Sequence, residues 1–118
     1  MPERELGLAQ PISEIKAELF RALAHPARIR ALELLAEGER SVGELQPLVG
    51  IESSHLSQQL GVLRRAGLVT TRKAGSSVIY AIRDRELVKL LATAKRLLIN
   101  SLRESNELLA GLGAEPSR

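Results

Sequence analysis

The 118-residue sequence contains no cysteine and no tryptophan, one phenylalanine, one tyrosine and two histidines. Without cysteine there is no disulfide framework, thiolate metal site, iron–sulfur cluster or thiol redox switch. Apolar runs are short, and none approaches the roughly 18 to 20 residues of a membrane span. The opening Met1-Pro2-Glu3-Arg4-Glu5 is charged where a secretory leader is apolar. The expected compartment is therefore the cytoplasm, with no membrane partner. Catalytic hardware is equally sparse. There is no Gly-rich phosphate loop and no carboxylate pair in a pocket context. Ser53, Ser54 and Ser57 flank His55, but neither an orienting carboxylate nor an oxyanion hole accompanies them. The chain is not expected to be an enzyme or to need a cofactor.

What is present is enough apolar content, 44%, for one small core, together with nearly balanced charge: 17 Lys+Arg against 14 Asp+Glu, a net +3. The placement of the charge is then the informative quantity. Residues 1–11 read as a loose Pro-bracketed arm and residues 110–118 as a tail with Gly111, Gly113 and Pro116. Residues 12–109 form the expected domain. Ile12, Ile15, Leu19 and Leu23 recur at helical spacing and predict a first helix ending near Ala24. His25-Pro26 restarts the chain, because Pro fits a first helical turn where its missing N–H is not needed, and a second helix runs to about Glu37 before Gly38. Ile29, Leu32 and Leu35 are its expected inward residues. Ser41-Val42-Gly43-Glu44 has the capping-box pattern of a third helix, which ends near Val49 and contains Pro47. After the joint Gly50-Ile51-Glu52, a fourth helix runs from Ser53 to Ala66 and is closed by Gly67. Residues 41–66 thus read as a helix-turn-helix. Period 3.6 then gives way to β-branched segments, 68–72 and 78–82, joined by Lys73-Ala74-Gly75-Ser76-Ser77 as a hairpin tip. A last helix is predicted over 84–109. The expected fold is mainly α with a small β-hairpin.

On the fourth helix, with Leu56 set at 0° and about 100° per residue, Leu60 and Leu63 fall within about 40° of it and form one apolar stripe. Ser54, Gln58 and Arg65 fall near the opposite side, with Ser57 and Arg64 on one shoulder and His55 on the other; Gly61 leaves that face flat in the middle. A polar helix face is by itself only a solvated surface. Here the surroundings argue for more: from Ser53 to Arg85 the basic residues Arg64, Arg65, Arg72, Lys73, Arg83 and Arg85 face a single acid, Asp84. The segment is net +5 and the rest of the chain net −2. Clustered positive charge on one helix and one hairpin is the footprint expected of phosphate contacts, and hydroxyl, amide and guanidinium groups suit base edges in a major groove. Arg72 and Lys73 beside the tip fit a wing along a DNA backbone or minor groove. The competing reading is a winged-helix module for protein contacts alone.

Three stretches carry a resemblance: Leu19-Phe20-Arg21-Ala22-Leu23-Ala24-His25-Pro26-Ala27-Arg28-Ile29-Arg30, Ser41-Val42-Gly43-Glu44-Leu45, and His55 through Val69. In order and spacing, the chain resembles the arsenic-repressor (ArsR) family of bacterial winged helix-turn-helix regulators over about Ile12 to Leu102. The resemblance implies a homodimer on an inverted-repeat operator in double-stranded DNA, usually repressing, and released by an effector that the sequence does not identify. It makes the fourth helix the recognition helix, with Ser53, Ser54, His55, Ser57 and Gln58 as base-edge or adjacent phosphate contacts and Arg64, Arg72 and Lys73 as backbone contacts; Arg65 shares the same face. Glu52 stands where the family has Ser or Thr, which makes Ser53 the candidate cap. Cysteine ligands on the third helix and His ligands on the last, through which many relatives sense metals, have no counterpart, so no metal site is expected. His25 is read as a cap or a buried hydrogen-bonding residue.

The dimer has an independent argument. A last helix of about 26 residues is about 39 Å long, more than so small a domain covers. Its stripe of Leu87, Leu91, Ala94, Leu98 and Leu102, supported by Ile15, Leu19 and Leu23 of the first helix, is the expected two-fold interface.

Overall fold

A computed structural model describes residues 11–111. Its elements are α1 (Ile12–Leu23), α2 (Pro26–Glu37), β1 (Arg40–Ser41), α3 (Val42–Val49), α4 (Ser53–Arg65), β2 (Val69–Ala74), β3 (Ser77–Ile82) and α5 (Glu86–Gly111). Apart from Pro11, Ala110 and Gly111, the expected arm and tail lie outside the described residues. The chain divides into two compact units, residues 1–85 and 86–118.

In the first unit several helix boundaries have a local cause. His25 caps α2 in an extended conformation, its Nδ1 accepting from the Ala27 N–H at 3.0 Å, and Pro26 occupies the first turn. Ser41 and Glu44 close a full capping box on α3: the Ser41 hydroxyl accepts from the Glu44 N–H, and the Glu44 carboxylate accepts from the Ser41 N–H. Pro47 is accommodated in the second half of this eight-residue helix. Gly67, at φ +76°, ends α4: its N–H bonds to the Arg64 carbonyl and that of Leu68 to the Leu63 carbonyl, the pairing that satisfies the last orphan carbonyls of a helix.

The core is aliphatic throughout, as a sequence this poor in aromatics requires. Leu32 and Leu35 from α2, Leu45 from α3 and Leu56, Leu60 and Leu63 from α4 are fully buried, and Ala22, Leu23 and Val69 join them. At about 1.5 to 3 kcal/mol per buried leucine, these six are the main support of the unit. In α2 the buried set also includes Ala31 and Leu34, whereas Ile29 is only half-buried.

The hairpin is part of a three-stranded antiparallel sheet of order β1-β3-β2. Two residues of β1 add to the far side of β3, Arg40 opposite Tyr80 and Ser41 opposite Ile79. A two-residue strand has no periodicity to detect, so the sequence reading contains only the hairpin. The strands also run closer to the tip than expected, to the Ala74–Ser77 pair. Gly75 takes φ +64°, which permits a two-residue turn with Ser76.

Among the described residues the second unit consists of α5, 26 residues long with an i,i+3 ion pair between Glu86 and Lys89 in its first turn. Among the described residues no helix is long and apolar enough to cross a membrane.

Candidate nucleic-acid interface

The joint between α3 and α4 is fixed by two local features. Gly50 adopts the left-handed conformation that ends α3, and the Gln46 side-chain amide donates to the Ile51 carbonyl at 2.8 Å. Helix α4 leaves this joint with Leu56, Leu60 and Leu63 buried. Its other side is open: Ser53, Ser54, His55, Ser57, Gln58, Arg64 and Arg65 are all exposed. The helix starts at Ser53, but Ser53 is not its cap. Glu52 occupies that position with no side-chain capping bond, because its carboxylate instead accepts a hydrogen bond from the Ser54 hydroxyl. The flat centre expected at Gly61 is also modified. A Cβ at Gly61 would lie 3.1 Å from Arg65 Nη1, so the Arg65 guanidinium folds back over that glycine and fills the space beside it with positive charge.

The two histidines, 30 positions apart in sequence, meet in space. Their rings pack edge to face with centroids 5.9 Å apart, which sets His55 at the margin of the exposed face against the cap of α2. One turn on, Gln59 is half-buried and accepts from Arg28 Nε of α2 at 2.8 Å. Neither contact is legible in a helical wheel of α4 alone.

The six basic residues of segment 53–85 do not share one environment. Arg72 on β2 pairs with Glu39, the residue just before β1, through both guanidinium and carboxylate. That hydrogen bond, together with the Arg72 charge, holds the Glu39 carboxyl below its usual range and raises the already high pKa of Arg72. Arg85 donates to the Ala36 carbonyl near the end of α2 at 3.1 Å, a helix C-terminal contact. Arg83 lies beside Gly67. Lys73 and Arg64 are exposed on wing and helix. Glu39 was missed in sequence because it stands 33 residues from Arg72 and only the pairing of β1 with β3 brings it to the wing.

Of the residues expected at a dimer contact on α1, Ile15 and Leu19 are half-buried, and Leu23, 7% exposed, is already core. Ile15 and Leu19 line an open cleft of about 190 Å³ with Glu18 and Ala66. Phe20, outside the expected dimer stripe, is 55% exposed. On α5, Leu87 is buried, Leu91 half-buried and Ala94 exposed, while Leu98 and Leu102 are 63% and 66% exposed. Leu97, Ile99 and Leu108 are exposed on the same helix. Among the described residues no three His, Cys, Asp or Glu side chains come together as metal ligands would.

Known proteins are similar to this chain in sequence and fold. The family described as "Bacterial regulatory protein, arsR family" matches residues 25–71, from the cap of α2 into β2. The uncharacterized HTH-type transcriptional regulator Rv0081 of Mycobacterium tuberculosis is 52% identical over 107 residues, covering 90% of this chain and 94% of its own. Its crystal structure matches with a TM-score of 0.75 at 54% identity, covering 82% of this chain and 98% of that one. The crystal structure of the transcriptional repressor BigR from Xylella fastidiosa matches at TM-score 0.68 and 38% identity, over 72% and 87% of the two chains. A solution structure of the homodimeric winged helix-turn-helix DNA-binding domain of Mb0332 from Mycobacterium bovis matches at TM-score 0.67 and 30% identity, over 74% and 81%.

Proposed function

The chain belongs to the arsR family of bacterial regulatory proteins, and on that premise we propose that it is a homodimeric transcriptional repressor that binds an inverted-repeat operator in double-stranded DNA. The family is one of regulators, not enzymes. The observation that carries the reading is the exposed polar face of α4, with Ser53, Ser54, His55, Ser57 and Gln58 at its N-terminal half and Arg64 and Arg65 at its C-terminal end. A helix presented this way on a buried leucine stripe fits a major groove, and the wing residues Arg72 and Lys73 fit the flanking phosphates. Support for the dimer comes from the exposed Leu98 and Leu102 of α5, and from the homodimeric state that the Mb0332 domain is described as having. A two-fold protein pairs naturally with a two-fold site. With no cysteine in the 118 residues, any signal that releases DNA acts without a thiolate of this chain.

The test is selection of bound duplexes from a random pool. The selected sequences should converge on an inverted repeat, and Gln58→Ala should relax the preference at one base position per half-site, at a cost of about 1 to 3 kcal/mol on the selected site. A pool that never converges overturns the operator reading.

A further inference from the structure

Helix α2 grips α4 at two points one turn apart, and the second reaches a third helix. The His25 ring, fixed by its cap bond to the Ala27 N–H, packs edge-on against His55. Arg28 then uses the two sides of its guanidinium differently. Nε donates to the Gln59 side-chain oxygen at 2.8 Å, while Nη1 donates to the Ala22 carbonyl at 2.9 Å and the Arg21 carbonyl at 3.4 Å, at the end of α1. Those carbonyls belong to the last turn of α1, where acceptors run out of intrahelical partners; the Arg21 carbonyl also accepts from the Ala24 N–H at 3.1 Å. One planar cation therefore ties the end of α1 to the middle of α4. Gln59 lies off the exposed face, half-buried and turned toward α2, so it has no view of a groove.

We propose that Arg28 and Gln59 are positioning residues for DNA recognition: the link sets the rotation of α4 relative to α1, and so the angle at which Gln58 and its neighbours meet base edges. The inference rests on the reading of α4 as the recognition helix. Base readout needs side-chain donors held to within a few tenths of an ångström, whereas phosphate attraction tolerates a few degrees of helix rotation. Loss of the link therefore lowers affinity for the chosen sequence and leaves affinity for arbitrary sequence nearly unchanged. Lysine cannot replace Arg28, because a single ammonium lacks the rigid fork that reaches a side-chain oxygen and two carbonyls together.

The experiment compares wild type, Gln59→Met, Arg28→Lys and the double variant on two probes, the duplex selected by the wild-type protein and a scrambled duplex of equal length. Fluorescence anisotropy gives both affinities, and thermal melts check the fold. Each single variant should lose about tenfold in the ratio of selected to scrambled affinity, and the double variant should lose no more than the worse single, because both remove one link. Gln59→Glu keeps the acceptor and should keep the ratio, since its extra charge weakens both probes alike. Unchanged ratios in the single variants, or losses that multiply in the double, overturn the link. If Arg28→Lys fails to fold, Gln59→Met and Gln59→Glu decide the matter by themselves. A wild-type protein that does not distinguish the probes overturns the operator reading instead, and the link with it.

Discussion

Replacing Arg72 with alanine removes the guanidinium from β2 and leaves Glu39 at the edge of the wing without its partner. If Arg72 neutralises one phosphate in each half of a dimer, two phosphate contacts disappear, and the slope of log affinity against log salt should flatten by about 1.8, at about 0.9 per phosphate. Over a fourfold rise in salt, a slope change of about 1.8 alters the ratio of wild-type to variant affinity by about twelvefold, well within the reach of fluorescence anisotropy on a duplex of arbitrary sequence between about 50 and 200 mM KCl. The Glu39 pairing sharpens the expectation. Both side chains are about half exposed, so the ion pair is weak and screened, and a phosphate can compete for the same guanidinium. Glu39→Gln should accordingly tighten binding to every duplex without changing base preference, by removing both a competitor for Arg72 and a negative charge near the DNA backbone. An Arg72→Ala protein with an unchanged salt slope would refute the placement of the wing on phosphate. A Glu39→Gln protein that binds DNA more weakly would show that the carboxylate orients Arg72 and does not compete for it.

Three further outcomes follow from the packing. Leu98→Glu puts a charge on an exposed, apolar part of α5 and should give monomers by light scattering, since two unpaired carboxylates at a two-fold contact cost about 3 to 5 kcal/mol; a variant that stays dimeric would place the interface elsewhere. Leu60→Ala empties a fully buried position under the exposed face of α4 and should lower the unfolding free energy by about 2 to 5 kcal/mol in urea titrations, with a loss below about 1 kcal/mol counting against the core described above. The Ser41 backbone N–H, which donates to the Glu44 carboxylate, and the Ser41 hydroxyl beside it hold the Glu44 carboxyl below the ordinary carboxylate range. The capping box thus contributes stability above that range, and the contribution is lost as pH falls through the lowered folded value. Glu44→Gln should therefore be less stable than wild type at neutral pH and should converge with it in acid, as thermal melts between about pH 6 and about pH 2 would show; parallel curves would argue that the box is not formed.

Local chemistry was enough to place most of this protein. Pro26 after His25, the Ser41–Glu44 box, Gly50 and Gly67 mark helix ends because each answers a backbone need that arises within four residues. The leucine stripe of α4 gives its buried side for the same reason, since 3.6-residue periodicity is a property of the chain alone, and the polar face opposite follows by subtraction. The family likeness was likewise legible, carried by short motifs in order. The sequence could not show which polar groups pair across distance. That depends on the crossing of helices and the register of strands, and these form only when the aliphatic core closes. Packing of α2 on α4 brings His25 to His55 and Arg28 to Gln59. The two-residue strand β1 sets Glu39 against Arg72, so the wing is not the purely basic surface that counting charges along residues 53–85 describes. Glu52, too, takes the cap position while spending its carboxylate on Ser54, a choice made by the backbone at the joint and not by the capping preference of serine. The sequence alone thus determined where the helices and hairpin lie and which face of α4 is polar; tertiary structure decided which of those polar groups remain open to a partner, because long-range pairing is a consequence of packing and has no local signature.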